Sequence, residues 1–182
     1  VYVAMTDKPQ DKQLNINNQL ASFIKNGGKV VYLKFPHQRP KWKNGVLGKG
    51  FTLNMPVDVK LKASQGLWAG MSHVVTKHAI FHELPVNKAM QGLYENIRPN
   101  ITTTGINTSA IVRVVANDNF PDMTLMKRHY KGTGDVWTGD DIAKLPLGQG
   151  QVWLSTLNLI PNLTQDPVAD KVLLNLIHFM NQ

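Results

Sequence analysis

The sequence of 182 residues contains no cysteine. Disulfide bonds, thiolate metal sites and cysteine nucleophiles are therefore excluded. The compartment stays open, because a periplasmic or secreted protein need not carry disulfides. The sequence also lacks any apolar run near the ~18 residues that would predict a membrane span. Its first residues lack the pattern of a signal peptide.

Acidic residues are few, with 12 Asp and Glu against 20 Lys and Arg, which gives a formal net charge of +8. Eight of the basic residues lie between Lys29 and Lys62, where Asp58 is the only acid. Such a run can attract an anionic partner, such as nucleic acid or an acidic polysaccharide. However, Lys predominates over Arg, and no nucleic-acid-binding motif accompanies the run. We interpret it as a solvated basic loop and expect neither nucleic acid nor a membrane as partner.

Length and composition are those of one globular domain, which we assign to residues 1–182. The chain is 42% apolar and 18% charged, as is usual for a soluble globule. A chain of this size buries roughly 70% of its extended surface on folding. Residues 1–5 have the pattern of a strand and include no initiator methionine. We therefore expect a domain taken from a longer chain.

The first 35 residues predict a strand, a helix and a second strand. The helix has one apolar face, which consists of Ile16, Leu20, Phe23 and Ile24. The pair Gly27–Gly28 suits the left-handed turn that ends a helix. Residues 29–35 form a near-continuous apolar run, typical of a buried parallel strand. The order predicts a βαβ unit.

The last forty residues predict a strand, a loop and a helix. A glycine-bearing turn at 148–150 precedes the apolar run 151–157. Asp166 and Pro167 have the residue types preferred at the N-cap and first position of a helix. The apolar stripe of that helix consists of Ala169, Val172, Leu173, Leu176 and Met180. These patterns predict an α/β fold with a flavodoxin-like open, mostly parallel sheet flanked by helices.

Periodicity fades over residues 36–64, which we interpret as an irregular insertion with one short strand. The insertion carries Lys41, Trp42 and Lys43 beside prolines and glycines. Trp42 and Trp137 are candidate exposed tryptophans that can stack on a sugar or contact another domain. By contrast, Trp153 lies in the last predicted strand and is expected in the core.

Other patterns that can carry chemistry are incomplete. His78 and His82 have the spacing of zinc ligands on a helix, but Pro85 opposes a helix there, so turn histidines are the better interpretation. The Gly-x-Gly pairs at 48–50 and 148–150 do not extend to a nucleotide-binding pattern, and residues 70–73 lack the second glycine of a nucleophile elbow. The acids Asp140, Asp141 and Asp166 can supply glycosidase carboxylates. We expect instead that they cap a helix or solvate a turn. No catalytic residue, metal or cofactor is predicted.

Three groups of segments together resemble a known family. They are NGGKVVYL at 26–33, HAIFHELP with YENIRP at 78–85 and 94–99, and LGQGQVWLST with DPVADKVLLNLI at 147–156 and 166–177. This pattern resembles the non-catalytic α/β domain of bacterial family 2 glycoside hydrolases and related β-galactosidase-like enzymes. That domain is similar in fold to class I glutamine amidotransferases and to the trimerisation domain of family 42 β-galactosidases.

The resemblance implies a parent enzyme that acts on β-linked sugars, with its catalytic glutamates in a separate barrel domain. It implies the catalytic and β-sandwich domains of that parent as partners, with a homo-oligomer interface as a further use, and a periplasmic or secreted location. The amidotransferase activity of the related fold needs a cysteine nucleophile, which this chain lacks. We expect an accessory domain. A carbohydrate-binding module and a free-standing hydrolase remain the alternatives.

Overall fold

The computed structural model describes residues 2–4, 11–35, 51–52, 56–57, 59–63, 70–106, 112–117 and 136–182. The strands are β1 Tyr2–Ala4, β2 Lys29–Lys34, β3 Phe51–Thr52, β4 Lys60–Ala63, β5 Gly70–Val75, β6 Lys88–Ala89, β7 Ile101–Thr104, β8 Val112–Asn117, β9 Val136–Leu147 and β10 Gly150–Ser155. The helices are α1 Asp11–Lys25 and α2 Pro167–Met180. Short 3-10 turns lie at Ala79–Phe81, Gly92–Tyr94 and Ile160–Asn162. Within these ranges, no helix is long and apolar enough to cross a bilayer.

The fold is α/β, with one mixed sheet accompanied by helices. Its main path runs β1-β2-β10-β9-β7-β4-β3, while β8 also pairs with β9, β5 with β8, and β6 with β5. Only the pairs β1–β2 and β2–β10 are parallel among the described strands. The other pairings are antiparallel. The prediction of a mostly parallel sheet is therefore wrong for the described strands. The strands in the middle of the chain pair in antiparallel fashion, and a local apolar pattern does not determine the direction in which a strand pairs.

The predicted β1–α1–β2 unit is confirmed, with β1 and β2 adjacent and parallel. Helix α1 ends before Gly27, which has φ 98° and so occupies the left-handed region that glycine tolerates. Leu20 and Ile24 of α1 are buried. Phe23, predicted on the same face, is 46% exposed, and its ring lies beside Gly28, where an added Cβ would overlap it.

The predicted final strand and helix are also confirmed. Asp166 caps α2 by accepting a hydrogen bond from the backbone N–H of Val168, at 2.8 Å. The buried stripe of α2 contains Ala169, Val172, Leu176 and Met180, and Leu173 is partly buried beside it. Strand β10 lies next to β2 in parallel register, so the first and last units of the chain pair with each other in the sheet.

Two apolar clusters form the core, one on each face of the sheet. Val31 and Trp153 belong to the cluster that contains the α2 residues. Their strand neighbours Val30 and Val152 belong to the cluster that contains Leu20 of α1. Since successive side chains of a strand alternate between faces, β2 and β10 serve both clusters.

The predicted irregular insertion at 36–64 contains more regular structure than expected. Two short strands, β3 and β4, lie within it and pair in antiparallel fashion. Leu61 of β4 and the preceding Val59 are buried in the cluster on the α1 face. The described end of the insertion thus extends the sheet, and residues 36–50 lie outside the described residues.

Candidate functional site

A buried histidine–carboxylate pair links two strands that are not neighbours. His73 is on β5 and Asp141 is on β9, and β8 lies between them. Nδ1 of His73 is 2.7 Å from Oδ2 of Asp141. The two side chains are 4% and 0% exposed. The groups best suited to acid–base chemistry therefore face each other inside the protein and do not present themselves to solvent.

Asp141 reaches this position because it is an extra residue in β9. Two consecutive residues of β8, Val112 and Arg113, lie opposite Ile142 and Asp140. Asp141 between them has no opposite residue in β8. A two-against-one arrangement of this kind is a β-bulge, which bends the strand and re-aims a side chain.

Thr156, directly after β10, completes the network around Asp141. Its backbone N–H donates to the backbone oxygen of Asp141 at 2.9 Å, and its hydroxyl donates to Oδ1 at 3.2 Å. Burial raises the pKa of Asp141 above its ordinary value, and the hydrogen bonds from His73 and Thr156 oppose that rise. The network of His73, Asp141 and Thr156 thus joins β5, β9 and the end of β10 through one shared carboxyl group.

The expectation that Asp140 and Asp141 cap or solvate a turn is wrong. Both lie inside β9 and are buried, at 5% and 0% exposure. The hydroxyl of Thr103 donates to the backbone oxygen of Asp140. The partner His73 lies 68 residues from Asp141 in sequence, so local pattern cannot supply it.

The histidines with zinc-like spacing have other roles. Nδ1 of His78 accepts a hydrogen bond from the backbone N–H of Ile80 at 3.2 Å and so caps the 3-10 turn. Burial lowers the pKa of His78. His82 is 72% exposed. Among the described residues, no group of three or more His, Asp or Glu side chains is placed to hold a metal ion.

Four residues are the candidates for contact with a sugar or another domain, and three of them lie outside the described residues. Lys41, Trp42 and Lys43 lie outside the described residues. The backbone of Trp137 lies in β9 opposite Ala116, and its side chain is outside the described part of the chain. The sugar-stacking and domain-contact hypotheses for these four residues therefore stay predictions.

Trp153 is a core residue, as expected, with 3% exposure. Phe179 of α2 packs against it at a centroid distance of 5.5 Å. The ammonium group of Lys144 lies 5.6 Å from the centre of its ring, within the range of a cation–π contact. This tryptophan joins α2 to the sheet.

The Gly-x-Gly pair at 148–150 serves packing. A Cβ on Gly150 would overlap the backbone oxygens of Ile24 and Gly28. Nearby, the backbone N–H of Gln149 donates to the oxygen of Lys25 at 3.1 Å. The glycines let the β9–β10 hairpin touch the end of α1 directly, which gives this pair a structural role without any phosphate. The similar pair at 48–50 lies outside the described residues.

Three asparagine side chains attach the segment 76–100 to the final strand–helix unit. They donate to backbone oxygens of that segment: Asn158 to Arg98 at 2.6 Å, Asn162 to Asn96 at 3.0 Å, and Asn175 to Ile80 and His82 at 3.1 and 3.0 Å. Sequence reasoning missed this role, because a single asparagine carries no signal of a partner that is distant in sequence.

No protein-family model matches this chain, and a search of curated proteins also finds no match. Fold and geometry therefore carry what can be inferred about function.

Proposed function

We propose that this chain is an accessory, non-catalytic domain of a family 2 glycoside hydrolase, and that it supports the catalytic domain or an oligomer interface. The finer fold we propose is a flavodoxin-like core, similar to that of class I glutamine amidotransferases, which the antiparallel strands extend into a mixed sheet. The parallel strands β1, β2 and β10 and the helices on the two faces support this assignment.

The observation that carries the proposal is the burial of the His73–Asp141 pair. A general base must come within hydrogen-bond reach of the proton that it abstracts. Here the imidazole and the carboxylate are 4% and 0% exposed and contact each other at 2.7 Å. Among the described side chains, His73 and Asp141 are the pair best suited to acid–base chemistry. Their contact joins two strands of the sheet.

The segments that carry the family resemblance also have scaffold roles. Residues 26–33 form the turn after α1 and most of β2, and residues 147–156 contain the glycine turn and β10. Residues 94–99 are held by Asn158 and Asn162. Such segments determine a fold more than an activity, which agrees with a supporting domain whose parent enzyme performs its chemistry elsewhere.

A first experiment tests the non-catalytic character. The purified 182-residue chain is incubated with nitrophenyl β-galactoside, β-glucuronide and β-mannoside, and with glutamine. We expect no turnover. Activity that survives repurification and disappears in His73→Gln, while the variant keeps its circular dichroism spectrum, would contradict the proposal.

A second experiment tests the partner. The coding sequence upstream of this chain is determined, and any barrel domain found there is expressed separately and titrated with the isotope-labelled chain. We expect saturable chemical-shift changes with the barrel and none with oligosaccharides. Saturable changes with a sugar, centred on Trp42 or Trp137, would favour the binding-module alternative. An isolated gene without a barrel would favour a free-standing protein.

A further inference from the structure

We propose that the His73–Asp141–Thr156 network sets the register in which β8 pairs with β9. This role concerns how the chain selects one fold, and it is independent of the proposed function. Its structural basis is the bulge, where β9 places one residue, Asp141, outside its pairing with β8. A specific set of contacts must fix the extra residue at that position.

The apolar pattern of β8 leaves the register weakly determined. The strand contains Val114, Val115 and Ala116 in succession, so its apolar residues do not alternate strictly. A register slip by one residue exchanges the two faces of a strand, and only strict alternation penalises it strongly. Beyond the bulge, Val115 lies opposite Thr138 and Ala116 opposite Trp137. Without the bulge, Ala116 would lie opposite Thr138.

The polar network is formed with the bulge in place. Asp141 leaves the ladder with β8, and its carboxyl group accepts the hydroxyl of Thr156 at 3.2 Å and meets Nδ1 of His73 at 2.7 Å. In the slipped register Asp141 would pair with Arg113 and return to the ladder. A buried carboxylate that loses its partners is strongly destabilising, so the slipped register is disfavoured. Specifying a register is the best-attested use of buried polar groups.

Disulfide trapping tests this directly, because the cysteine-free chain gives no competing thiols. Two reporter pairs are introduced separately: Val115→Cys with Thr138→Cys, and Ala116→Cys with Thr138→Cys. Opposite residues meet the distance requirement of a disulfide, whereas residues on opposite faces do not. In the otherwise unchanged chain, we expect the 115–138 bond to form in high yield after refolding and oxidation, and the 116–138 bond to form only as a minor product. Each reporter is then combined with His73→Leu and Asp141→Leu together. This change replaces the buried pair by apolar groups of similar size, which is often neutral for stability.

In that background we expect the 116–138 bond to rise by about tenfold, the change in an equilibrium ratio that loss of one hydrogen bond to a charged group can produce. A folded double variant that forms only the 115–138 bond would overturn the proposal. If the double variant does not fold, Thr156→Val takes its place in the test. A rise in the 116–138 bond of less than about tenfold then supports the proposal, and no rise overturns it. Leu174→Ala, at a surface position, is the control, and an equal rise there would also overturn the proposal.

Discussion

The imidazole of His78 packs edge-on against the ring of Phe179, with 4.8 Å between the ring centres. His78 caps the 3-10 turn, and Phe179 is near the end of α2. Trp153 lies beside both rings, at centroid distances of 6.5 Å and 5.5 Å. The contact ties the segment that begins at Thr76 to the last helix and places a titratable group in an apolar environment.

This environment predicts a loss of stability in mild acid. Burial lowers the pKa of His78 below its ordinary value of 6.5, so the unfolded chain binds a proton more readily than the folded chain. The resulting contribution to stability is present above pH 6.5 and is lost as the pH falls through the lowered pKa. His78→Asn keeps an acceptor at the cap position but removes the titration. Urea unfolding between about pH 7 and pH 5 should show a smaller decline for this variant, and identical declines would contradict the assignment.

The apolar stripe of α2 predicts unequal costs for three neighbouring leucines. Leu176 is 1% exposed, so Leu176→Ala should lower the free energy of unfolding by about 2–5 kcal/mol. Leu174 is 63% exposed, so Leu174→Ala is the matched control and should change it by less than about 0.5 kcal/mol. Leu173→Ala should fall between them. Equal unfolding midpoints for the Leu174 and Leu176 variants would show that the stripe does not face the core.

The hairpin contact with α1 predicts that Gly150 does not tolerate a side chain. Gly150→Ala would place a methyl group against two backbone oxygens, those of Ile24 and Gly28, which cannot rotate away. Gly92→Ala is the control, because its Cβ would meet nothing within 4 Å and only its φ of 58° is unfavourable. That conformation costs roughly 1–2 kcal/mol. We expect thermal unfolding to reveal a larger loss for Gly150→Ala; a loss equal to or smaller than that of Gly92→Ala would disprove the close contact.

The environment of Tyr32 predicts that removal of its hydroxyl does not lower the stability of the protein. Its side chain is fully buried, and its hydroxyl has no hydrogen-bond partner among the described residues. Removing such a group recovers a desolvation cost of about 1–3 kcal/mol, so Tyr32→Phe should be neutral or stabilising. Tyr94→Phe is the contrast, because the hydroxyl of Tyr94 donates to the backbone oxygen of Pro85. Its loss should destabilise by about 0.5–1.5 kcal/mol.

The buried hydroxyl of Tyr32 also predicts that the stability of the protein falls in alkaline solution. Burial raises the pKa of Tyr32 to about 12 from an ordinary value of 10.0. The folded chain therefore holds the proton more tightly than the unfolded chain, and this contribution is lost as the pH rises from 10.0 towards about 12. Chemical unfolding across that interval should show a shallower decline for Tyr32→Phe than for the unchanged chain. Equal declines for the two proteins would show that the hydroxyl has no raised pKa and lies in a solvated site.

The sequence by itself determined the two ends of the chain. Local patterns there are strong: the glycines after α1, the apolar run of β2 and the Asp–Pro start of α2 each act within a few residues. The absence of cysteine also excluded thiol chemistry on composition alone. By contrast, the middle of the chain has an apolar run at residues 107–116 that predicts a strand, but the pairing and order of the antiparallel strands could not be predicted from local pattern.

Only the tertiary structure decided the role of the polar residues. Asp141 has the residue type of a turn or a catalytic acid, and it became a buried bridge because a bulge in β9 directs it towards His73 and Thr156. Similarly, the glycine pair at 148–150 acquired its meaning from contact with α1. These roles depend on groups that are distant in sequence. Their contacts form only when the strands pair, so local sequence patterns do not reveal them.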